Sequence, residues 1–233
     1  MAMRDEMTEI PFDIVGFDLD GTLLDTSGDL TDATNHALQL AGRESLTPDE
    51  VKPMIGLGAK HMLEQGLLAT GGIPEAEFKP LYRELLKFYE ANVAVKTRLF
   101  PGGEDMLGAL DDAGVTYGVV TNKFESLAVK ALTELGLMNR MAFVIGGDTM
   151  GKGNAKPSRK PIDEMIRRSG YEIGNARAVF IGDSRFDMEA ARNAGLPSIA
   201  VSFGFLHQPV EELGADMIID HFDDLIPALA NFG

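Results

Sequence analysis

Short apolar, β-branched runs, each followed by a stretch with helical spacing, recur through most of this chain. They read as strands at 12–17, 115–120, 142–145, 178–181 and Ser198–Val201, with an edge strand at Met217–Ile219. Helical spacing fills 104–112, 126–135, 161–169 and 187–193. Strands that are apolar on both faces need helices on both faces, so the pattern predicts an α/β fold with a doubly wound parallel sheet. Gly114, Gly136, Gly170 and Gly195 each follow a helical stretch, where a left-handed cap favours glycine.

One long interval breaks the alternation. Between the first and second strands, residues 26–96 contain nothing that reads as a strand. Leu30, Ala33, Ala37, Leu38 and Ala41 have helical spacing within 27–41. Thr47-Pro48-Asp49-Glu50 is a helix start, with a cap residue, a proline in the first turn and a glutamate three positions on. Helical patterns continue over Ala59–Ala69 and 74–89. This is too much chain for a loop in a compact domain, so it reads as an inserted all-helical domain. The expected organisation is a disordered leader at 1–11, a catalytic core at 12–25 and 97–233, and a helical cap at 26–96. Residues 24–26 and 92–100 serve as its hinges.

Composition narrows the function. There are 36 Asp and Glu against 21 Lys and Arg, a formal charge of −15, which disfavours nucleic acid and anionic membranes as partners. Without cysteine there is no disulfide framework and no thiolate chemistry. No apolar run approaches the ~18 residues of a membrane span, and a charged N-terminus gives no secretory signal. The expectation is a cytoplasmic protein, monomer or homodimer, acting on a small molecule.

In an open parallel sheet, ligands bind beyond the carboxyl ends of the strands. Those ends read Asp18-Leu19-Asp20-Gly21-Thr22, then Thr121-Asn122-Lys123, then Gly146-Gly147-Asp148 with Lys156-Pro157 further on, then Gly182-Asp183-Ser184 with Asp187. Alternation along an extended segment puts Asp18 and Asp20 on one side of the chain. Neighbouring carboxylates repel, so one holds its proton longer unless a cation intervenes, which supplies an ionised nucleophile beside a proton donor. With Asp183 they form a set of hard oxygen ligands suited to magnesium (Mg2+). Thr121, the backbone N–H groups around Asn122, and Lys156 are positioned to hold phosphoryl oxygens.

These four segments, in this order, resemble the motifs of the haloacid dehalogenase superfamily. Residues 12–230 carry the likeness, and the helical insert sits where members with a helical cap carry theirs. Residues 17–26, Phe100-Pro101-Gly102, 119–123 and 180–183 are most similar to phosphoglycolate phosphatases. The resemblance implies that Asp18 attacks phosphorus and becomes an aspartyl phosphate. Asp20 protonates the leaving alkoxide and then activates water. Magnesium is held by the Asp18 and Asp183 carboxylates and the Asp20 backbone carbonyl. Thr121, Asn122 and Lys156 bind phosphate, and Asp187 supports the metal site. The second aspartate favours phosphoryl transfer over dehalogenation. The third motif departs from the usual Lys-Pro-x-Pro-x-Pro, since Arg159 replaces a proline and Lys160 adds a second lysine.

Taken singly, each signal has a plainer meaning. Thr121 alone reads as a helix cap, Lys156 as a solvated lysine, and Asp-x-Asp-Gly-Thr as a polar turn. Their convergence at successive strand ends carries the reading. His36, His61, His207 and His221 show no metal-ligand spacing, while 56–61 reads as a loop plus helix start at the cap's inner surface, where Lys60 could bind a substrate carboxylate, a solvated lysine being its plainer meaning. Hydrolysis of a small phosphomonoester, 2-phosphoglycolate first, is expected. A sugar phosphate, a nucleoside monophosphate or pyrophosphate as substrate remains open. So do a phosphoglucomutase-like transferase and a signalling receiver.

Overall fold

A computed structural model describes residues 10–232. The disordered leader expected at 1–11 lies outside them except for its last two residues. Of these, Ile10 packs against the main core.

In chain order the elements are β1 (Ile14–Phe17), β2 (Leu24–Asp25), α1 (Ser27–Leu40), α2 (Pro48–Val51), α3 (Ala59–Ala69), α4 (Phe78–Ala91) and β3 (Arg98–Leu99). There follow α5 (Gly103–Asp112), β4 (Thr116–Val120), α6 (Glu125–Glu134), β5 (Val144–Ile145), α7 (Lys160–Arg168), β6 (Ala178–Gly182), α8 (Arg185–Ala194), β7 (Ser198–Val201), β8 (Met217–Ile219) and α9 (Leu225–Ala230). Six strands form one sheet in the order β5-β4-β1-β6-β7-β8. Every pairing within it is parallel.

Strand β1 sits at the centre, with Phe17 opposite Val119 on one side and Ile181 on the other. All four of its residues are buried, as a strand covered on both faces must be. One face packs Phe17, Leu107, Val119, Ile181 and Phe222; the other packs Ile14, Val120, Phe143, Ile162, Met165 and Phe180. The chain builds outward from β1 to β4 and β5, then crosses back through α7 to β6 on the other side. That reversal beside β1 opens the crevice where open α/β sheets bind ligands. Gly114, Gly136, Gly170 and Gly195 all have positive φ, in agreement with their reading as helix-terminating residues.

Helices α1 to α4 lie between β2 and β3 and form the cap. Leu30, Ala33, Ala37 and Leu38 on α1 pack with Met62, Leu63 and Leu67 of α3 and Leu85 and Tyr89 of α4. The expected capping box is present, with the Thr47 N–H donating to Glu50 at 2.8 Å, but the helix it starts ends after one turn at Val51. α4 begins at Phe78 rather than 74. The hinges are not plain linkers. Leu24-Asp25 and Arg98-Leu99 pair antiparallel, and the buried Asp29 accepts hydrogen bonds from the Lys96 and Thr97 N–H groups, each at 2.9 Å, and from Thr97 Oγ1 at 2.7 Å. Leu127 and Ala131 of α6 and Phe205 after β7 join the cap's apolar cluster, so the cap rests on the core above the sheet's carboxyl edge.

Candidate active site

The ladder of hydrogen bonds that makes the sheet also aims its terminal side chains. Asp18 N donates to Ile181 O at 2.8 Å and Thr121 N to Ile145 O at 2.9 Å, so both residues leave their strands still in register. Asp183 follows β6 directly. The result is a cluster in which Asp18, Thr121, Lys156, Asp183 and Asp187 are all buried.

Lys156 is the hub. Its Nζ donates to Val120 O at 2.8 Å and to Asp187 Oδ1 at 2.6 Å, and lies 2.7 Å from Asp18 Oδ1. Lys160 instead faces solvent and donates to Asn154 Oδ1 at 2.9 Å, so only Lys156 stands against Asp18. Asp187 Oδ2 accepts from Ser184 N at 3.0 Å and Ser184 Oγ at 2.5 Å, which leaves both its oxygens partnered and fixes the start of α8. Asn122 donates its side-chain amide to the Lys156 carbonyl at 3.3 Å, holding the lysine loop rather than facing the cavity with that group. Thr121 Oγ1 accepts the Lys123 N–H at 3.2 Å, and its own O–H proton stays free to donate.

Carboxylate oxygens of Asp18, Asp183 and Asp187 lie within 4.8 Å of one another. Asp183 accepts from Phe205 N at 2.7 Å and from Thr22 Oγ1 at 3.3 Å. Gly21, with φ of 85°, and Gly204 admit this packing. A Cβ on Gly21 would fall 2.2 Å from Asp183 Oδ2, and one on Gly204 would fall 2.3 Å from Asp183 Cβ. Burial, opposed by the Lys156 charge, raises the Asp18 carboxyl to about 6. Asp183 is raised well above the usual carboxylate range, first by burial and then by the charges of Asp18 and Asp187. Burial works against a charged Lys156, but Asp18 and Asp187 outweigh it and raise the ammonium. One lysine therefore compensates three buried carboxylates only in part, and Asp18 Oδ1 has no geometrically sound hydrogen bond. A donor set of hard oxygens with surplus negative charge fits a divalent cation.

Asp20 takes a different partner. Its two oxygens accept from Lys123 Nζ at 2.7 and 2.8 Å, in a pair almost closed to solvent. Burial disfavours the Lys123 charge, yet Asp20 and Tyr89 raise its pKa. Lys123 closes the Thr121-Asn122-Lys123 strand end, but sequence reading assigned it no role. Only its contact with Asp20 reveals it. Tyr89 on α4, over whose ring Lys123 Nζ sits 4.7 Å from the centroid, was equally silent, because an aromatic at an apolar helical position reads as core.

A cavity of about 140 Å³ lies between these groups and the cap. Asp18, Asp20, Thr121, Lys123 and Lys156 line its floor; Leu30, Ile55, the 56–60 loop, Met62, Tyr82 and Tyr89 form its roof. Lys60 lines it too but is mostly exposed and pairs with Glu64 at 3.5 Å. The histidines stay outside the carboxylate cluster. His36 stacks on Phe88, and His207 Nε2 meets Ile55 O of the cap at 2.7 Å.

A parallel sheet with four polar strand ends, a buried carboxylate cluster and a helical cap inserted after the first strand defines a class. The haloacid dehalogenase-like hydrolase family matches residues 15–201, and the chain belongs to it. Relatives narrow this further. The phosphoglycolate phosphatase of Agrobacterium fabrum is 41% identical over 91% of this chain and 90% of its own. The N-acetylmuramic acid 6-phosphate phosphatase of Pseudomonas aeruginosa is 33% identical over 91% and 92%. A crystal structure described as a predicted phosphoglycolate phosphatase from Haemophilus somnus superposes with a TM-score of 0.85 at 28% identity, covering 93% of this chain and 97% of that one. The chain is a phosphoric monoester hydrolase. Family membership also sets aside the receiver alternative. No described helix is long and apolar enough to cross a membrane.

Proposed function

We propose that this chain is a magnesium-dependent phosphatase for a small phosphomonoester, 2-phosphoglycolate first, acting through an aspartyl phosphate on Asp18. The observation that carries this is the convergence of Asp18, Thr121 and Asp183 from separate strand ends, with Lys156 from the loop before α7, into one buried cluster of which Asp18, Thr121 and Lys156 line the cavity. The names of the most similar relatives support the substrate, as does a cavity of about 140 Å³, which suits a small leaving group.

In this reading the Lys156 ammonium and the Thr121 hydroxyl bind and orient the phosphoryl oxygens while Asp18 attacks phosphorus. Asp20 holds the proton delivered to the leaving oxygen, then takes one from the water that hydrolyses the aspartyl ester. Asp187 fixes Lys156, and Asn122 fixes the loop that carries it. The Asp18 and Asp183 carboxylates, with the Asp20 backbone carbonyl, would hold magnesium. When bound, it would neutralise the carboxylates and polarise a phosphoryl oxygen. The segment 26–96 acts as the closing cap and excludes water from the seated substrate.

Phosphate release should be measured across a panel of phosphomonoesters with magnesium and with EDTA. Metal-dependent release led by phosphoglycolate is expected. Full turnover by Asp18→Asn would sink the nucleophile, and sugar phosphate isomerised without phosphate release would favour the transferase.

A further inference from the structure

Tyr89 presents a problem that the phosphatase reading does not solve. It is 2% exposed and lines the cavity, its oxygen faces the Lys123 ammonium, and its hydroxyl proton has no acceptor among the described residues. Burial pushes the phenol up to about 12, so the group is an O–H donor at any working pH. An orphaned buried hydroxyl costs on the order of 1–3 kcal/mol. Such an orphan in a ligand cavity calls for a partner. Beside it, Lys123 directs hydrogen bonds to the two Asp20 oxygens and turns its remaining proton toward the Tyr89 oxygen, which leaves the Tyr89 O–H proton for an acceptor in the cavity.

The structure assigns Tyr89 and Lys123 as the subsite for an anionic acceptor on the substrate, a carboxylate one carbon away from the ester oxygen. The assignment rests on the phosphatase reading and deepens it. Three features fix the chemistry. Leu30, Ile55, Met62 and Leu127 make much of the remaining lining apolar, so a carboxylate without a donor there would be costly. Lys123 touches Asp20, the group that serves the leaving oxygen in this reading, so an acceptor that Lys123 reaches lies close to the reacting end of the substrate. Lys60, the other cap-side cation lining the cavity, is two-thirds exposed and paired with Glu64. The cap thus contributes a buried donor through α4, set against a lysine of the core.

Two esters of equal length separate the possibilities, phosphoglycolate with its carboxylate and ethyl phosphate without. In Tyr89→Phe the ratio of kcat/KM for phosphoglycolate over ethyl phosphate should fall about tenfold, mostly through KM, as for one lost hydrogen bond to a charged group. Calorimetric binding of phosphoglycolate to Asp18→Asn should weaken by a similar factor when Tyr89→Phe is added. A ratio unchanged within about twofold, with unchanged binding, overturns the subsite. Wild-type protein that cleaves both esters equally well overturns it too, while leaving the phosphatase standing. If neither ester is cleaved, phosphoglycolate fails as the substrate, and the binding comparison still decides the subsite.

Discussion

Replacing Lys156 by methionine removes the only positive charge among three buried carboxylates while keeping a side chain of similar length. Asp18, Asp183 and Asp187 lie with oxygens within 4.8 Å of one another. At an effective dielectric of ~20, each charged pair at that distance repels by about 3–4 kcal/mol. Lys156 offsets this from 2.7 Å and 2.6 Å, at the desolvation cost of one ammonium. Net destabilisation of the metal-free protein at pH 7.5 should therefore be about 3–5 kcal/mol, the usual result of leaving a buried charge unpaired. In a chain of this size that lowers Tm by roughly 6–20 °C. The sign with pH follows from Asp18, already raised to about 6 with the lysine present. A carboxyl whose folded pKa lies above its unfolded value stabilises the fold at low pH, and that contribution is lost as pH rises through the folded value. Without Lys156 the Asp18 and Asp183 carboxyls move higher still, because its charge opposes both rises. Lys156→Met should thus cost much less at pH 5, where Asp18 is protonated, than at pH 7.5. Scanning fluorimetry in EDTA at both pH values tests this, and magnesium at pH 7.5 should recover part of the loss. Equal destabilisation at both pH values would mean that lost packing, not charge, sets the cost.

Further outcomes follow from neighbouring contacts. Gly204→Ala puts a Cβ 2.3 Å from Asp183 Cβ and 2.5 Å from Gly21 O, so the Asp183 carboxylate must shift. Turnover should fall roughly 10²-fold with unchanged circular dichroism, and unaltered kcat would show that the loop yields instead. Lys160→Ala should leave turnover within about twofold of wild type, because Lys160 is bound to Asn154 away from Asp18. A loss as large as that from Lys156→Ala would reverse the choice of lysine. Asp29→Ala strands the Lys96 and Thr97 N–H groups at the cap hinge and should cost roughly 2–5 kcal/mol in urea denaturation, with Asn recovering part.

The sheet and its polar edge were legible because their signals are local. A buried parallel strand must be an apolar run, a returning helix needs a terminator such as Gly195, and the residue after the strand must sit at the binding edge. Four such ends in one order could be read from the chain without knowing how far apart they lie. What stayed hidden depends on distances between segments. Lys123 looks like any lysine after a strand until Asp20, 103 positions earlier, is found at 2.7 Å. Tyr89 looks like core packing because it is core packing, with Leu85 beside it in the cap cluster; only its hydroxyl proton, without an acceptor, sets it apart. The hinge looked like linker because a two-residue strand such as Leu24-Asp25 is too short to show a period. On the proposed reading the chemistry lies where the core strands fix it, and selection among esters lies where the cap meets the core. There a residue's meaning comes from its partner across the interface, so under the Tyr89 assignment a cap with the same helical pattern and a different residue at position 89 should leave every motif intact and change the preferred ester.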